Sequence, residues 1–158
     1  AMIADGLEKR LGRPLTDADL EPWTLGLRDY YRARRNGFDA SLALIRSTSA
    51  ACNTFHERYE LLLTPVSTRP PFRIGELAPD LSFETHFERA VGYVGFTPIQ
   101  NGAGTPGMSV PLHWSKSGLP IGSHFAAKAG DERTLLELAY ELEAAHPWAG
   151  RRPPVAAA

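Results

Sequence analysis

The apolar residues of this 158-residue chain change their spacing once, near position 60. Before that point they recur every three or four residues, which is the period of an amphipathic helix. At 61–63 they form a solid run that Thr64 and Pro65 end, a pattern typical of a buried strand. Segment 108–127 then alternates apolar and polar residues, as half-buried strands do. The chain is therefore predicted to be α/β, with helices packed on a few strands.

Three amphipathic helices are predicted before residue 60. Thr16 or Asp17 is expected to cap the second helix and Asp39 the third, because short polar side chains accept hydrogen bonds from the first turn of a helix. Asn36 and Gly37 separate these two helices. The apolar stripes are Ile3, Leu7 and Leu11 in the first helix, Leu20, Trp23, Leu27 and Tyr31 in the second, and Leu42, Ile45, Ser49, Cys52, Phe55, His56 and Tyr59 in the third.

The second half of the chain mixes loops, strands and helices. Four prolines predict that 65–81 is a long extended loop, and the apolar residues at 83–94 indicate a short helix after it. The glycines of 102–107 predict a flexible turn, and 108–127 is expected to form two adjacent strands, in a hairpin. Asp131 is predicted to cap a last helix that buries Leu135, Leu138, Ala139, Leu142 and Ala145.

The charge balance limits the classes of partner. The chain contains 17 basic and 18 acidic residues, which gives a formal net charge of -1. Nucleic acids and anionic membranes attract an excess of positive charge, so neither is predicted as a partner, and a small or neutral molecule is favoured instead. A chain of this length is normal for one domain.

Cys52 is the only cysteine, so the sequence offers neither a disulfide framework nor a zinc site of several thiolates. Cys52 itself is predicted to be a buried apolar residue rather than a reactive thiol. The first fifteen residues have no continuous apolar segment for export, and a cytoplasmic location is expected. Ala1 and Met2 lead directly into a helical pattern, so we expect that an N-terminal portion is missing.

Histidines are the natural place to look for a metal site. His56 and Glu60 match only part of a helical zinc-protease signature, and His86 with Glu88 matches the start of a zinc-deaminase motif whose paired cysteines are absent. For both motifs, the favoured interpretation is a set of polar residues on a solvated helix face. An independent metallohydrolase built from the five histidines, the others being His113, His124 and His146, would require bound zinc.

Ser109 and the three lysines are the candidates for nucleophilic chemistry. Ser109 stands in a partial nucleophile-elbow motif, but Pro111 replaces its final glycine, so a strand position is predicted. None of the three lysines, Lys9, Lys116 and Lys128, follows a serine by three residues. The glycines at 102–107 fit neither a P-loop nor a dinucleotide motif. They allow close approach of a ligand, which leaves Asn101 and Thr105 as candidate hydrogen-bond donors at a cleft, with a purely structural turn as the equal alternative.

The second half resembles the closing portion of amidase signature family enzymes. The resemblance rests on FTPIQNGAGTPGMSVPL at 96–112, on GLPIG at 118–122, and on the shorter matches at 62–65, 130–132 and 147–148. It covers the chain from about Leu61 to Val155 and extends more loosely over the preceding helices. The segments at 114–116 and 123–127 are most similar to the branch of 6-aminohexanoate cyclic dimer hydrolases.

The resemblance implies hydrolysis of carbon–nitrogen amide bonds by a Ser-Ser-Lys triad, with no cofactor. The Gly/Ser-rich motif that carries both serines is absent from this sequence, as is a lysine in its motif. The chain is therefore expected to be the C-terminal part of a single amidase domain, with a helical region at 1–60, strands and covering helices at 61–150 and a frayed tail at 151–158. Its helices are expected to pack on a few strands of a larger mixed sheet. Alone it is predicted to be inactive.

The same resemblance implies that the loop from Asn101 to Pro106 supplies part of the acyl pocket for a small amide substrate. Asn101, Gly104 and Thr105 are therefore the predicted substrate-binding residues. Uncovered strand edges and helix faces predict association with another copy or with the missing N-terminal part. The alternative is a non-catalytic binding or structural module with amidase C-terminal architecture.

Overall fold

The computed structural model describes residues 2–152, so the end of the tail predicted at 151–158 lies outside the described residues. Within this range the packing divides into a helical unit, residues 2–44 with Pro71–Tyr93, and a sheet unit, Ile45–Pro70 with 94–152. The elements in chain order are α1 Met2–Leu11, α2 Pro22–Ala33, α3 Phe38–His56, β1 Leu61–Pro65, α4 Phe83–Tyr93, α5 Pro98–Ala103, β2 Gly107–Trp114, β3 Pro120–Ala127 and α6 Glu132–Ala145.

Aromatic side chains hold α2 against α4 in the helical unit. Tyr30 and Phe87 have ring centroids 4.9 Å apart, and Trp23 lies 5.5 Å from Phe83. Gly26 lets the helices approach closely, because a Cβ there would stand 2.2 Å from the ring of Phe83. Large rings in tilted contact bury much apolar area, so this cluster is the main apolar contact between these two helices.

Charged side chains join α1 to α2. Arg28 Nη1 lies 2.9 Å from Glu8 Oε1, and Arg32 forms ion pairs with both Asp5 and Glu8. The hydrogen bond from Arg32, followed by one from the Leu15 amide, lowers the pKa of Glu8. These pairs fix the relative position of the two helices, although solvent screening leaves each of them a small contribution to stability.

The sheet unit is built on three antiparallel strands in the order β1-β3-β2. β3 is central: Leu63 pairs with Phe125 on one side of it, and Met108 pairs with Phe125 on the other. The pairing of β2 with β3 contains an irregularity between Pro111 and His113. β2 and β3 form the predicted hairpin.

One face of this sheet packs against α6 and forms the apolar core. Val110, Phe125, Ala127 and Leu135 are buried there. Because successive side chains of a strand point to opposite faces, these strand residues define the α6 side of the sheet. Partly buried residues complete the core: Leu61, Met108, Leu112, Leu138, Ala139, Leu142 and Trp148.

Most of the predicted elements are confirmed. The first helix, the third helix, the helix after the long loop, the strand at 61–65 and the hairpin all occur. Asp131 caps the last helix as predicted, because its carboxylate accepts a hydrogen bond from the Thr134 amide. Of the five residues predicted on its buried face, Leu135 is buried, Leu138, Ala139 and Leu142 are half-buried, and Ala145 at its end is exposed. The α/β class is thus confirmed, while the division into one domain stays a prediction.

Three further local predictions are wrong. Thr16 and Asp17 do not cap α2: the Thr16 amide donates to Asp19 Oδ2 at 2.9 Å in a separate turn, and α2 begins later, at Pro22. Asp39 lies inside the first turn of α3, which starts one residue earlier. The turn predicted at 102–107 is partly helical, because α5 extends to Ala103.

Replacing Asp131 with Ala is expected to lower the free energy of unfolding by about 1 kcal/mol, because the Thr134 amide and hydroxyl lose their acceptor. Urea denaturation followed by circular dichroism measures the loss. Glu143→Ala in the same helix is the control, since Glu143 is exposed. Equal stability of the two variants would contradict the capping role.

Candidate functional site

The face of the sheet opposite α6 carries a row of polar side chains. Thr64 on β1, His124 on β3 and Ser109 on β2 are directly paired in the strand register. Cross-strand partners project to the same side of a sheet, so the three residues share one face. We call this the polar face.

His124 is the buried centre of the polar face. Only 6% of its surface is exposed, and Nδ1 lies 2.9 Å from Thr64 Oγ1. The ring extends towards Gly107, where an added Cβ would stand 2.8 Å from Nε2 and 3.7 Å from Gln100 Cγ. Burial lowers the pKa of His124. The imidazole is therefore neutral at pH 7 and acts as a hydrogen-bonding group.

Hydrogen bonds to main-chain carbonyls hold the loop between α5 and β2, and one of them comes from α3. The Gln100 carbonyl accepts hydrogen bonds from the amides of Gly104, at 2.8 Å, and Thr105, at 3.2 Å. Gly104 ends α5 in the left-handed region, with φ 72°, which glycine adopts without a Cβ penalty. The Ala103 carbonyl accepts from Ser49 Oγ at 3.0 Å. The loop thus has a fixed path.

The three predicted substrate-binding residues lie along this loop with different access. Asn101 is exposed on α5, and Gly104 is exposed at its end. Thr105 is only 8% exposed. Asn101 and Gly104 are therefore accessible to a ligand, whereas Thr105 is almost fully buried. Substrate binding by all three stays a prediction.

Ser109 and His124 do not form a nucleophile–base pair. Ser109 lies on a strand, as predicted, and its Oγ points towards Gly122, within 2.6 Å of the position a Cβ would take there. The His124 ring points the other way, towards Gly107. Lys9, Lys116 and Lys128 are all exposed, whereas a lysine that acts as a base in nucleophilic catalysis is typically held in an enclosed pocket.

The histidines considered for metal binding are dispersed. His56 ends α3, with Nδ1 3.1 Å from the Tyr59 carbonyl, and His86 stacks on Trp23 at 4.5 Å. Within residues 2–152, no three His, Cys, Asp or Glu side chains are grouped as metal ligands. Cys52 is half-buried on α3. None of the helices in this range is long and apolar enough to cross a membrane.

Sequence reasoning missed Gln100, Thr64 and the position of His124. Gln100 is only 7% exposed, although it lies between residues that are exposed. Alternation along β3 could have predicted that His124 and Phe125 project from opposite faces of the strand, with His124 on the face away from α6. The contact with Thr64 depends on pairing residues that are sixty positions apart, which no local pattern contains.

The sequence of the chain matches a known protein family. The sequence profile of the family described as Amidase matches residues 7–136. Because these residues make up most of the chain, the chain belongs to the amidase family. This confirms the resemblance found in the sequence, which rested largely on the segment of α5 and β2.

Individual relatives of the chain are consistent with membership in the amidase family. "Putative amidase AmiC" of Mycobacterium tuberculosis (strain ATCC 25618 / H37Rv) is 36% identical over 149 residues, covering 94% of this chain and 31% of the relative. The 6-aminohexanoate-cyclic-dimer hydrolase of Paenarthrobacter ureafaciens is 34% identical over 153 residues, covering 90% and 31%. A structure of 6-aminohexanoate cyclic dimer hydrolase complexed with substrate superposes with a TM-score of 0.79 at 32% identity, over 96% of this chain and 33% of that one. The chain thus spans about a third of the length of these relatives.

Replacing Gly107 with Ala is expected to reduce the free energy of unfolding by about 1–3 kcal/mol, because the new methyl group collides with His124 Nε2. Chemical denaturation measures the change. Gly150→Ala is the control, since a Cβ at Gly150 meets nothing within 4 Å. A G107A variant as stable as G150A would contradict the close packing of His124.

Stability is expected to fall as the pH drops below about 6.5, the ordinary pKa of histidine. The folded state holds the His124 pKa below that value, so the unfolded chain binds the proton first and is favoured as the pH falls. Denaturation midpoints measured between pH 7 and pH 5 test this. His124→Asn should flatten the dependence, and His113→Asn, at an exposed strand position, should leave it unchanged. Parallel curves for the wild type and H124N would refute the assignment.

Proposed function

We propose that this chain is the C-terminal part of an amide hydrolase whose catalytic serines and lysine lie outside its 158 residues. Membership in the amidase family supports the reaction class. The observation that carries the second half of the proposal is the exposure of all three lysines, Lys9, Lys116 and Lys128. A lysine that activates a serine is normally enclosed in a desolvated pocket, and none of these three is enclosed.

The loop that carries Asn101, Gly104 and Thr105 is proposed to form a wall of the acyl pocket. Its fixed path supports this role, because substrate-positioning groups work best when their scaffold is rigid. Exposed Asn101 offers both a donor and an acceptor, which is the pair that an amide substrate requires. The reaction needs no cofactor.

A small amide is the proposed substrate class. Two of the relatives are named for hydrolysis of the 6-aminohexanoate cyclic dimer, and one solved relative holds its substrate. The near-neutral charge of this chain also favours a substrate without strong charge. The cyclic dimer is therefore the first substrate to assay.

Exposed apolar side chains support association with further polypeptide. On α6, Leu136 is 59% exposed and Tyr140 is 74% exposed, and their spacing places them on the same helix face. Leu63 on the edge strand β1 is also exposed. We propose that the remainder of the amidase domain, or a second copy, covers these groups. The proposed compartment is the cytoplasm.

An assay of 6-aminohexanoate cyclic dimer hydrolysis should show different activities for this chain and for the full-length product of its gene. The chain alone is expected to show no turnover, and the full-length protein is expected to release the linear product, detected by chromatography. Turnover by the chain alone would refute the location of the catalytic residues. A full-length protein that hydrolyses no amide would favour the non-catalytic module.

In an active full-length protein, Asn101→Ala is expected to raise KM about two- to tenfold, which is the loss of one ordinary hydrogen bond. Steady-state kinetics measures the change. Lys116→Ala is the matched control, because Lys116 is also exposed but lies in the turn between β2 and β3. Equal kinetic constants for N101A and the wild type would remove Asn101 from the pocket.

A further inference from the structure

The outer side of α6 carries a row of four exposed residues. Leu136 is 59% exposed and Tyr140 is 74% exposed. Arg133 and Glu143 lie at the two ends of the row, and both are exposed. The successive spacings of three, four and three residues keep the row on one face of the helix. The same spacing is found where two packed helices contact each other, so we call these four residues the α6 seam.

The α6 seam is separate from the face that α6 uses within its own unit. Leu135, Leu138 and Leu142 pack into the apolar core under the helix. Since successive residues of a helix are about 100° apart, the seam residues project away from that core. α6 forms the layer that covers this face of the sheet, and the seam is on the outside of the layer.

The remainder of the amidase domain has a different place of contact. β1 is an edge strand, and Leu63 on it is 61% exposed. Leu63 projects to the same side of the sheet as its cross-strand partner Phe125. Polypeptide that joins the sheet at β1 continues the existing layers and adds no contact on the outer side of α6. The apolar pair Leu136 and Tyr140 is therefore expected to meet a separate molecule.

The order of charges along the α6 seam indicates which molecule this is. From its N-terminal end the seam is positive, apolar, apolar and negative. In an antiparallel pair of two α6 helices, Arg133 faces the partner's Glu143 and Leu136 faces the partner's Tyr140. A parallel pair would place Arg133 against the partner's Arg133, and like charges in contact repel. The seam is thus complementary to itself in the antiparallel orientation.

We propose that the α6 seam binds a second copy of this protein, with the two α6 helices antiparallel and related by a two-fold axis. Such an axis brings the same surface of both subunits together, so each contact occurs twice. The apolar side chains then lie at the centre and the charged ones at both ends, as in the interfaces of other proteins. This surface specifies the association proposed above, and it does not depend on amide hydrolysis.

Arg133 has an acidic neighbour within its own helix. Its Nε lies 2.6 Å from Glu137 Oε1, and 86% of the Arg133 side chain is exposed. A guanidinium has five N–H donors, so Arg133 can bind the partner's Glu143 as well. Exposed ion pairs add little to stability, so these pairs chiefly select the orientation. Because the seam is only about three helical turns long, we expect a weak dimer that dissociates at micromolar concentrations.

Sedimentation velocity of the full-length protein over a range of concentrations tests for the second copy. A reversible monomer–dimer equilibrium is expected. Leu136→Ser and Tyr140→Ser should each weaken it about tenfold, because each removes an apolar contact twice. Ile74→Ser is the matched control, since Ile74 is a fully exposed apolar residue in the long loop. A wild type that stays monomeric up to about 100 μM, or equal dimerisation of L136S and I74S, would overturn the proposal.

Charge reversal tests the antiparallel pairing. Arg133→Glu should weaken the dimer about tenfold, because both ends of the helix pair then carry like charges. Adding Glu143→Arg restores opposite charges between the copies and should recover most of the affinity, although this double variant also lacks the ion pair with Glu137. Glu141→Arg, at an exposed position of α6 outside the seam, should leave the affinity unchanged. A double variant as weak as R133E would overturn the pairing.

Circular dichroism and amide hydrolysis on the same samples keep the outcomes distinct. Each seam variant should retain the helical signal of the wild type, because the substituted side chains are exposed. A wild-type dimer that hydrolyses no amide would contradict the proposed function and support the seam. An active wild type without a dimer would overturn the seam alone.

Discussion

The sheet unit depends on the pairing of β3 with a neighbour on both sides. Because β3 is central, each of its residues has a cross-strand partner, and the two faces of the sheet acquire different characters from its alternation. Phe125 and Ala127 point to α6 and form the apolar core. His124 points to the opposite face, where it meets Thr64 and approaches the loop before β2. Core and candidate site are therefore two sides of one strand.

Local sequence patterns predicted most of the elements but not all of their ends. The hairpin and the last helix follow from alternation, turn residues and one capping carboxylate, all within a few residues of each other. The predicted start of α2 was wrong because Asp19 belongs to a separate turn. There its carboxylate accepts a hydrogen bond from the Thr16 amide and forms an ion pair with the Arg13 guanidinium. A competing local hydrogen bond can thus shift a helix start by several residues.

The candidate site was predictable only where it lies in one segment. Asn101, Gly104 and Thr105 are close in sequence, and glycine spacing with the family resemblance led to them. Gln100 and His124 both lie close to Gly107 because β2 and β3 pair in one particular register, and Thr64 reaches His124 from a third strand. Such contacts arise from tertiary structure, so a single sequence without the fold does not contain them. The chain belongs to the amidase family and spans about a third of the length of the relatives it matches.

The two outer edges of the sheet differ in their capacity to accept another strand. β2 has Pro111 in its middle, which has no N–H group, and its ladder is irregular just beyond that residue. Both features discourage continued pairing. β1 has no proline before its last residue, so Leu61 to Thr64 keep their amide groups. Growth of this sheet would therefore have a direction, outward from β1, and the hairpin side would be a natural terminus.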